Sequence, residues 1–174
     1  MTCRLIGRSY EASCVKAVER AVEVAGEVAL DAAADFPVGL AFGPAPLLLT
    51  DDVSYGLPPD AYAHAVHNEY LVDDLHKIGE LARSATHVGI LSQAPDQLLE
   101  TSQRARTILP ELGLRYEARV ACVVDGQCWG IIAMFRGGDT EDFSSADAAL
   151  LHALSAPLAA GLRTSWRSSC PRSS

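Results

Sequence analysis

The chain has 174 residues, of which 49% are hydrophobic and 21% charged, so it reads as one globular domain with a full core rather than a disordered segment. Its formal net charge of −8 argues against a nucleic-acid surface, since neutralising phosphates takes clustered lysine and arginine. No segment reaches the ~18 uninterrupted apolar residues of a membrane span, and residues 1–7 are too polar for a secretory leader. The five cysteines, Cys3, Cys14, Cys122, Cys128 and Cys170, are odd in number and scattered. Without an export signal they are expected to be reduced thiols in the cytoplasm. The cations are arginine apart from Lys16 and Lys77, and alanine is abundant, a composition that points to a GC-rich bacterial genome.

The first predicted element is a helix. Val15, Val18, Val22, Ala25 and Ala29 form one apolar stripe, with Lys16, Glu19, Arg20, Glu23 and Glu27 mostly off it. The stripe suits packing on a core, and its spacing also suits a partner helix. A strand pair is predicted at Val38–Phe42 and Pro46–Thr50, joined by Gly43-Pro44-Ala45. Asp51–Pro59 reads as a loop, with Pro59 at the first turn of a helix and Asp60 at its acidic start. Helical pattern follows over Asp60–Val72 and again over Asp73–Arg83. Thr86–Ser92 is a short β-rich run broken by Ala94-Pro95-Asp96.

A helical stretch spans about 97–112 and stops near Gly113. Pro110 suggests that it comes in two pieces, with Ser102 capping the second. Arg115–Arg136 then forms a hairpin around Asp125-Gly126, a strong turn signal. Its arms hardly alternate in polarity, so both faces are expected to be covered. In the last helix Ser144 can cap, Asp147 sits near the positive end and Phe143 can staple onto the first turns. Leu151, Leu154, Leu158 and Leu162 make its stripe, and Pro157 falls inside it as a potential kink. Beyond Arg163 the chain reads as a frayed tail. Helices at both ends flanking an antiparallel sheet give an α+β pattern.

The hairpin constrains its cysteines. With Asp125-Gly126 as the turn, Val124 opposes Gln127, Val123 opposes Cys128 and Cys122 opposes Trp129. Cys122 then shares a face with Trp129, Ile131, Ala133 and Phe135, while Cys128 shares the other with Val123, Ala121, Gly130 and Ile132. The two thiols point apart, which opposes a disulfide and favours buried apolar roles. Trp129 reads either as a core aromatic or as a pocket wall, and Gly130 can permit a close approach. His64, His67, His76 and His87 show no metal-ligand spacing, so no metal is expected. Asp51-Asp52 and Asp73-Asp74 are sequence neighbours and would point apart on a strand or helix, so neither is a ready acid/base dyad. Neither a phosphate-binding glycine loop nor a nucleophile elbow is present.

One order of residues is familiar. It runs His67-Asn68-Glu69-Tyr70-Leu71, Asp74, Lys77, Leu81-Ala82-Arg83, Leu91-Ser92, Ser102, Arg104, Gly113-Leu114, Glu117, Arg119, Asp125-Gly126, Cys128-Trp129-Gly130 and Phe143-Ser144. Over about 17–163 this resembles the GAF-like sensory domain that precedes a LuxR-type helix-turn-helix module in many actinobacterial transcriptional regulators. Ala118 stands where that family often has leucine. The resemblance implies a GAF fold: a central antiparallel sheet, N- and C-terminal helices on one face, and a small-molecule cavity on the other, roofed by the middle helices. The chain is expected to divide into an N-terminal arm at 1–10, a GAF-like sensory domain at 11–165 and a disordered tail at 166–174. Such regulators usually continue into a DNA-binding module, and no residues here correspond to one, so DNA binding is not carried over.

The leading expectation is a non-enzymatic cytoplasmic sensory domain in transcriptional signalling, without cofactor. It would bind an unidentified small molecule or a protein partner and pair with a second copy through its terminal helices. Candidate ligand-binding residues are Tyr70, Leu91, Arg119 and Trp129. Tyr70 and Trp129 offer apolar walls with a polar tip, and Arg119 can pair an anionic group. The enzyme alternative is a GAF-type free methionine sulfoxide reductase, which needs a thiolate near its resolving partner. A third reading is a purely structural dimerisation module.

Overall fold

Five strands and the helices that cover them follow from the patterns above, with shifts at Asp51–Ser54, after Asp73, near Ser102, within the hairpin, and at the last helix, which runs to Ser169 where a tail was expected beyond Arg163. The structure is a computed structural model and describes residues 36–42, 49–54 and 58–169. The predicted helix at Val15–Ala29 and the turn Gly43-Pro44-Ala45 lie outside the described residues. The elements are β1 (Phe36–Phe42), β2 (Leu49–Ser54), α1 (Pro59–Leu71), α2 (Ile78–Arg83) and β3 (Val88–Ile90). A short turn at Leu91–Gln93 leads to α3 (Asp96–Leu99). A π-helical turn at Arg104–Ile108 runs into α4 (Leu109–Glu111), and β4 (Leu114–Val124), β5 (Gln127–Gly137) and α5 (Ser145–Ser169) complete the fold. The strands pair antiparallel in the order β2-β1-β5-β4-β3.

The β4–β5 hairpin forms the middle of this sheet, as its two apolar faces required. Asp125 and Gly126 both take positive φ, +52° and +73°, the two-residue turn that matches strand twist. Val124 faces Gln127 and Val123 faces Cys128, but Cys122 faces Gly130. Trp129 and Gly130 thus share one opposing residue, a bulge. Trp129 stays on the Cys122 side, yet every later residue of β5 changes face. Ile132 and Met134 pack with Cys122, whereas Ile131 packs with Cys128 and Ala133 faces Arg119. This corrects the expectation that Ile131, Ala133 and Phe135 lie with Cys122. A run apolar on both faces carries no mark of such a slip.

α5 covers one face of the sheet. Leu151, Leu158 and Leu162 pack with Ala118, Val120, Cys122 and Trp129. Ser144 caps α5 as expected: its Oγ accepts from the Asp147 N–H at 3.2 Å, while the Asp147 carboxylate accepts from the Ser144 N–H at 2.6 Å. Pro157 sits inside the helix without ending it. Both Pro157 and Ala153, whose carbonyl loses its partner, are exposed, so water can serve that oxygen. Buried Ser155 ties α5 to the bulge, donating to the Ala121 carbonyl at 2.6 Å and accepting from the Val123 N–H at 3.1 Å. Ser155→Ala leaves both backbone groups unpaired, and we expect a loss of about 1–3 kcal/mol in denaturant unfolding.

Three further elements depart from the sequence pattern. Asp51–Ser54 is strand rather than loop, because β2 pairs Asp51 with Ala41 and Asp52 with Leu40 of β1. The helical pattern of Asp73–Arg83 is realised only from Ile78. Asp74 accepts the Leu75 N–H at 2.8 Å, and His76 takes a φ of +50°, which no helix accommodates. The helical stretch near 97–112 breaks before Ser102 rather than at Pro110. Ser102 does cap the second piece, accepting from the Ala105 N–H at 3.2 Å. Pro110 is accommodated by the π-turn before it, where the Leu109 N–H reaches back to the Arg104 carbonyl.

Candidate functional site

The sheet face opposite α5 carries charge. Glu117 and Arg119 alternate along β4 with Ala118 and Val120, which face α5, so both project under α1 and the loop after it. Arg119 meets Glu69 of α1 at 3.0 Å and Glu117 at 3.7 Å. Arg104, from the π-turn, meets Glu117 at 3.0 Å. These four side chains are each at most 9% exposed, so their charges must be paired to be tolerated.

The same groups hold the backbone above them. Arg119 Nη1 donates to the His76 carbonyl at 2.8 Å, and Arg104 Nη2 donates to the Leu75 carbonyl. Glu69 accepts the Ile78 N–H at 2.8 Å. Asp74 accepts from Asn68 Nδ2 at 2.8 Å and from the Arg104 N–H at 3.0 Å. Lys77 Nζ donates to the Asn68 carbonyl at 3.0 Å and to that of Val72. The segment 68–78 is therefore a roof tied at Asn68, Val72, Leu75, His76 and Ile78 to buried and half-buried charges. The His76 ring packs against Gly89 of β3 and leaves no space there for a Cβ.

Protonation follows from this packing. Burial pushes the Asp74 carboxyl up, but hydrogen bonds from Ser102, Asn68 and the Arg104 and Leu75 backbone together hold it below its ordinary value. Its contribution to stability is present at neutral pH and lost only as pH falls through that lowered value. Burial, then the charge of Arg104, holds His76 below its ordinary value. A base held down in the fold stays neutral while the unfolded chain already binds a proton. Stability is thus full above about pH 6.5 and falls as pH drops toward the folded-state value. We expect urea midpoints to fall between pH 7 and pH 5, with a shallower fall in His76→Asn.

A groove of about 440 Å³ opens beside the roof, lined by Glu69, Tyr70, Asp73, Lys77, Ile78 and Glu80 among others. A second of about 440 Å³ runs along α1, lined by His64, His67, Gln103 and Thr107 among others. Asn68 stands between them, bonding Asp74 on one side and Gln103 at 3.3 Å on the other. Of the sequence-derived candidates, Tyr70 lines the first groove and is 43% exposed. Arg119 lies beneath it, with its charge met by Glu69 and Glu117. Leu91 is buried with Leu109 and Leu114 on the same side of the sheet. Trp129 is buried on the opposite side, against α5, and its indole N–H has no partner among the described residues. The fold therefore brings Tyr70 and Arg119 near one groove and sets Trp129 apart.

Sequence reasoning does not single out Glu69, Asp74, Arg104 or Glu117 as site residues. Their only signal is their place in the order that carries the resemblance. Cys122 and Cys128 lie in different core clusters on opposite faces. Burial pushes both thiols up, Cys128 to about 11 and Cys122 further. Among the described residues no three histidine, cysteine or acidic side chains converge as a metal site, and no helix is long and apolar enough to cross a membrane.

No protein-family model matches the sequence, and no curated protein does. Solved structures do match the fold. The GAF domain/HD domain protein from Geobacter sulfurreducens superposes with a TM-score of 0.57 at 20% identity, over 86% of this chain and 94% of that one. The VqsR ligand-binding (LBD) domain from Pseudomonas aeruginosa gives 0.56 at 17%, over 92% and 98%. Escherichia coli SdiA gives 0.55 at 17%, over 92% and 67%, and SdiA in complex with octanoyl-rac-glycerol gives 0.58 at 13%, over 97% and 68%. The chain has a GAF-like α+β fold.

Proposed function

We propose that this chain is a non-enzymatic sensory domain that binds a small organic molecule in the groove beside Tyr70. The observation that carries this reading is the roof 68–78, held rigid by buried ion pairs at the wall of a groove of about 440 Å³. A preformed concavity on a fixed frame is what a small-ligand site requires. Tyr70 supplies the apolar wall. Arg119, neutralised within the chain, acts as a positioning residue rather than as the partner of a ligand anion, and Leu91 packs the layer below it. Four carboxylates against Lys77 and Arg83 along the groove favour a ligand with a hydrogen-bond donor or cationic group. The likeness to a complex of SdiA with octanoyl-rac-glycerol supports small-molecule binding in general. The link to transcriptional regulation, and pairing with a second copy through the terminal helices, belong to the same reading.

The reductase alternative is disfavoured by buried, upshifted thiols on opposite faces. Trp129, buried against α5, is proposed as a reporter of ligand-induced change at that helix. The test is a metabolite screen of the full chain by thermal shift and native mass spectrometry. A compound that stabilises the wild type should lose at least tenfold in affinity in Tyr70→Ala, about 1.4 kcal/mol. Unchanged affinity in Tyr70→Ala rejects the groove as the site.

A further inference from the structure

We propose that His87 and His152 form a two-histidine site for a divalent transition-metal ion, tying α5 to the β3 edge of the sheet. The two lie far apart in sequence, and only the fold brings them together, with ring centroids 6.3 Å apart and planes inclined at 43°. His87 Nδ1 is 3.1 Å from the Leu81 carbonyl oxygen, and His152 Nδ1 is 2.7 Å from that of Thr86. A carbonyl oxygen can only accept, so each Nδ1 carries a ring proton, and the neutral form of each ring has its lone pair at Nε2. Metal-binding imidazoles are held in this way, one nitrogen donating to a backbone carbonyl while the other is left for the ion.

The local backbone is built to hold His87. Its φ of +57° is one that a non-glycine residue adopts only when its surroundings demand it. Its N–H donates to Ser84 Oγ at 2.9 Å, its carbonyl accepts from the Ala121 N–H at 2.8 Å, and Ser84 Oγ donates to the Leu81 carbonyl that orients the ring. His152 stands on an exposed position of α5. With metal–nitrogen bonds of about 2.0–2.1 Å, two imidazoles on one tetrahedral ion have centroids about 5 Å apart. The observed 6.3 Å exceeds this by about 1 Å, the closure that binding an ion would require of the exposed His152 ring. No third histidine, cysteine or acidic group joins them among the described residues, so water completes the coordination. The donor set suits zinc, nickel or copper rather than magnesium or calcium.

The probe is Ni(II), titrated calorimetrically into the full chain under reducing conditions, with thermal melts alongside. We expect one ion per chain in the wild type. At ten times Kd the folded-to-unfolded ratio should rise about tenfold, raising Tm by about 3–5 °C. Both effects should vanish in His152→Ala, at an exposed helix position where alanine keeps the fold, and in His87→Asn, which tolerates the positive φ. The His64→Ala/His67→Ala variant should bind as the wild type does. Absence of binding, binding unchanged in His152→Ala, or binding lost only with His64 and His67 overturns the proposal.

Discussion

Glu117→Ala is expected to destabilise the domain by about 3–5 kcal/mol, the cost of breaking a buried ion pair from one side. Glu117 is 2% exposed and stands 3.0 Å from Arg104 and 3.7 Å from Arg119. Without it Arg119 keeps Glu69, but among the described residues Arg104 keeps only the Leu75 carbonyl as a direct side-chain partner. An arginine cannot escape by losing its proton, so the uncompensated charge stays buried. In a chain of this size the loss should lower Tm by roughly 10 °C. Arg104→Met combined with Glu117→Leu should lose less than Glu117→Ala alone, because replacing both charges leaves neither stranded. Denaturant unfolding of the three proteins measures this, and a Glu117→Ala midpoint within error of wild type would mean that the network carries no stability.

Gly89→Ala should cost about 1–3 kcal/mol through overpacking. Its Cβ would lie 2.5 Å from Cγ, 2.7 Å from Nδ1 and 2.9 Å from Cδ2 of the His76 ring. The contact falls at the base of the ring, and Arg119 pins the His76 carbonyl, so the side chain has little freedom to yield. His76→Gly in the Gly89→Ala background should recover most of the loss. It removes the clash and also relieves a left-handed backbone that costs a non-glycine residue about 1–2 kcal/mol. The double-mutant cycle should give a coupling of about 1–3 kcal/mol, and additive effects would mean that the ring and Gly89 are not in contact.

Local chemistry is legible in the sequence wherever a residue acts on its near neighbours. Pro59 starts α1, Ser102 caps the turn after α3, Ser144 and Asp147 start α5, and Asp125-Gly126 turns the hairpin with the first pairs in register. Legibility ends where distant residues decide. The bulge at Trp129-Gly130 leaves no trace in a strand apolar on both faces. The helical pattern after Asp73 yields to hydrogen bonds between Asp74 and residues as remote as Arg104. Arg119 reads from sequence as the partner of an anion, and the fold supplies one from within the chain, on an α1 residue that sequence spacing could not connect to it. The polar members of the network nevertheless stand in the residue order from which the resemblance is read.

Carboxylates that grip the backbone fix the segment 68–78 as the frame of the groove, and hydrogen exchange of individual amides tests this most directly. The N–H groups of Leu75, Ile78 and Arg104 all donate to buried or half-buried carboxylates. They lie in a loop or at the first residue of a turn or helix, where amides ordinarily exchange fast. All three should exchange slowly, through openings close to global unfolding in free energy, and far more slowly than those of the exposed turn residues Ala85 and Gly138. Exchange at Leu75, Ile78 and Arg104 as fast as at Ala85 and Gly138 would show that the carboxylates do not hold the frame.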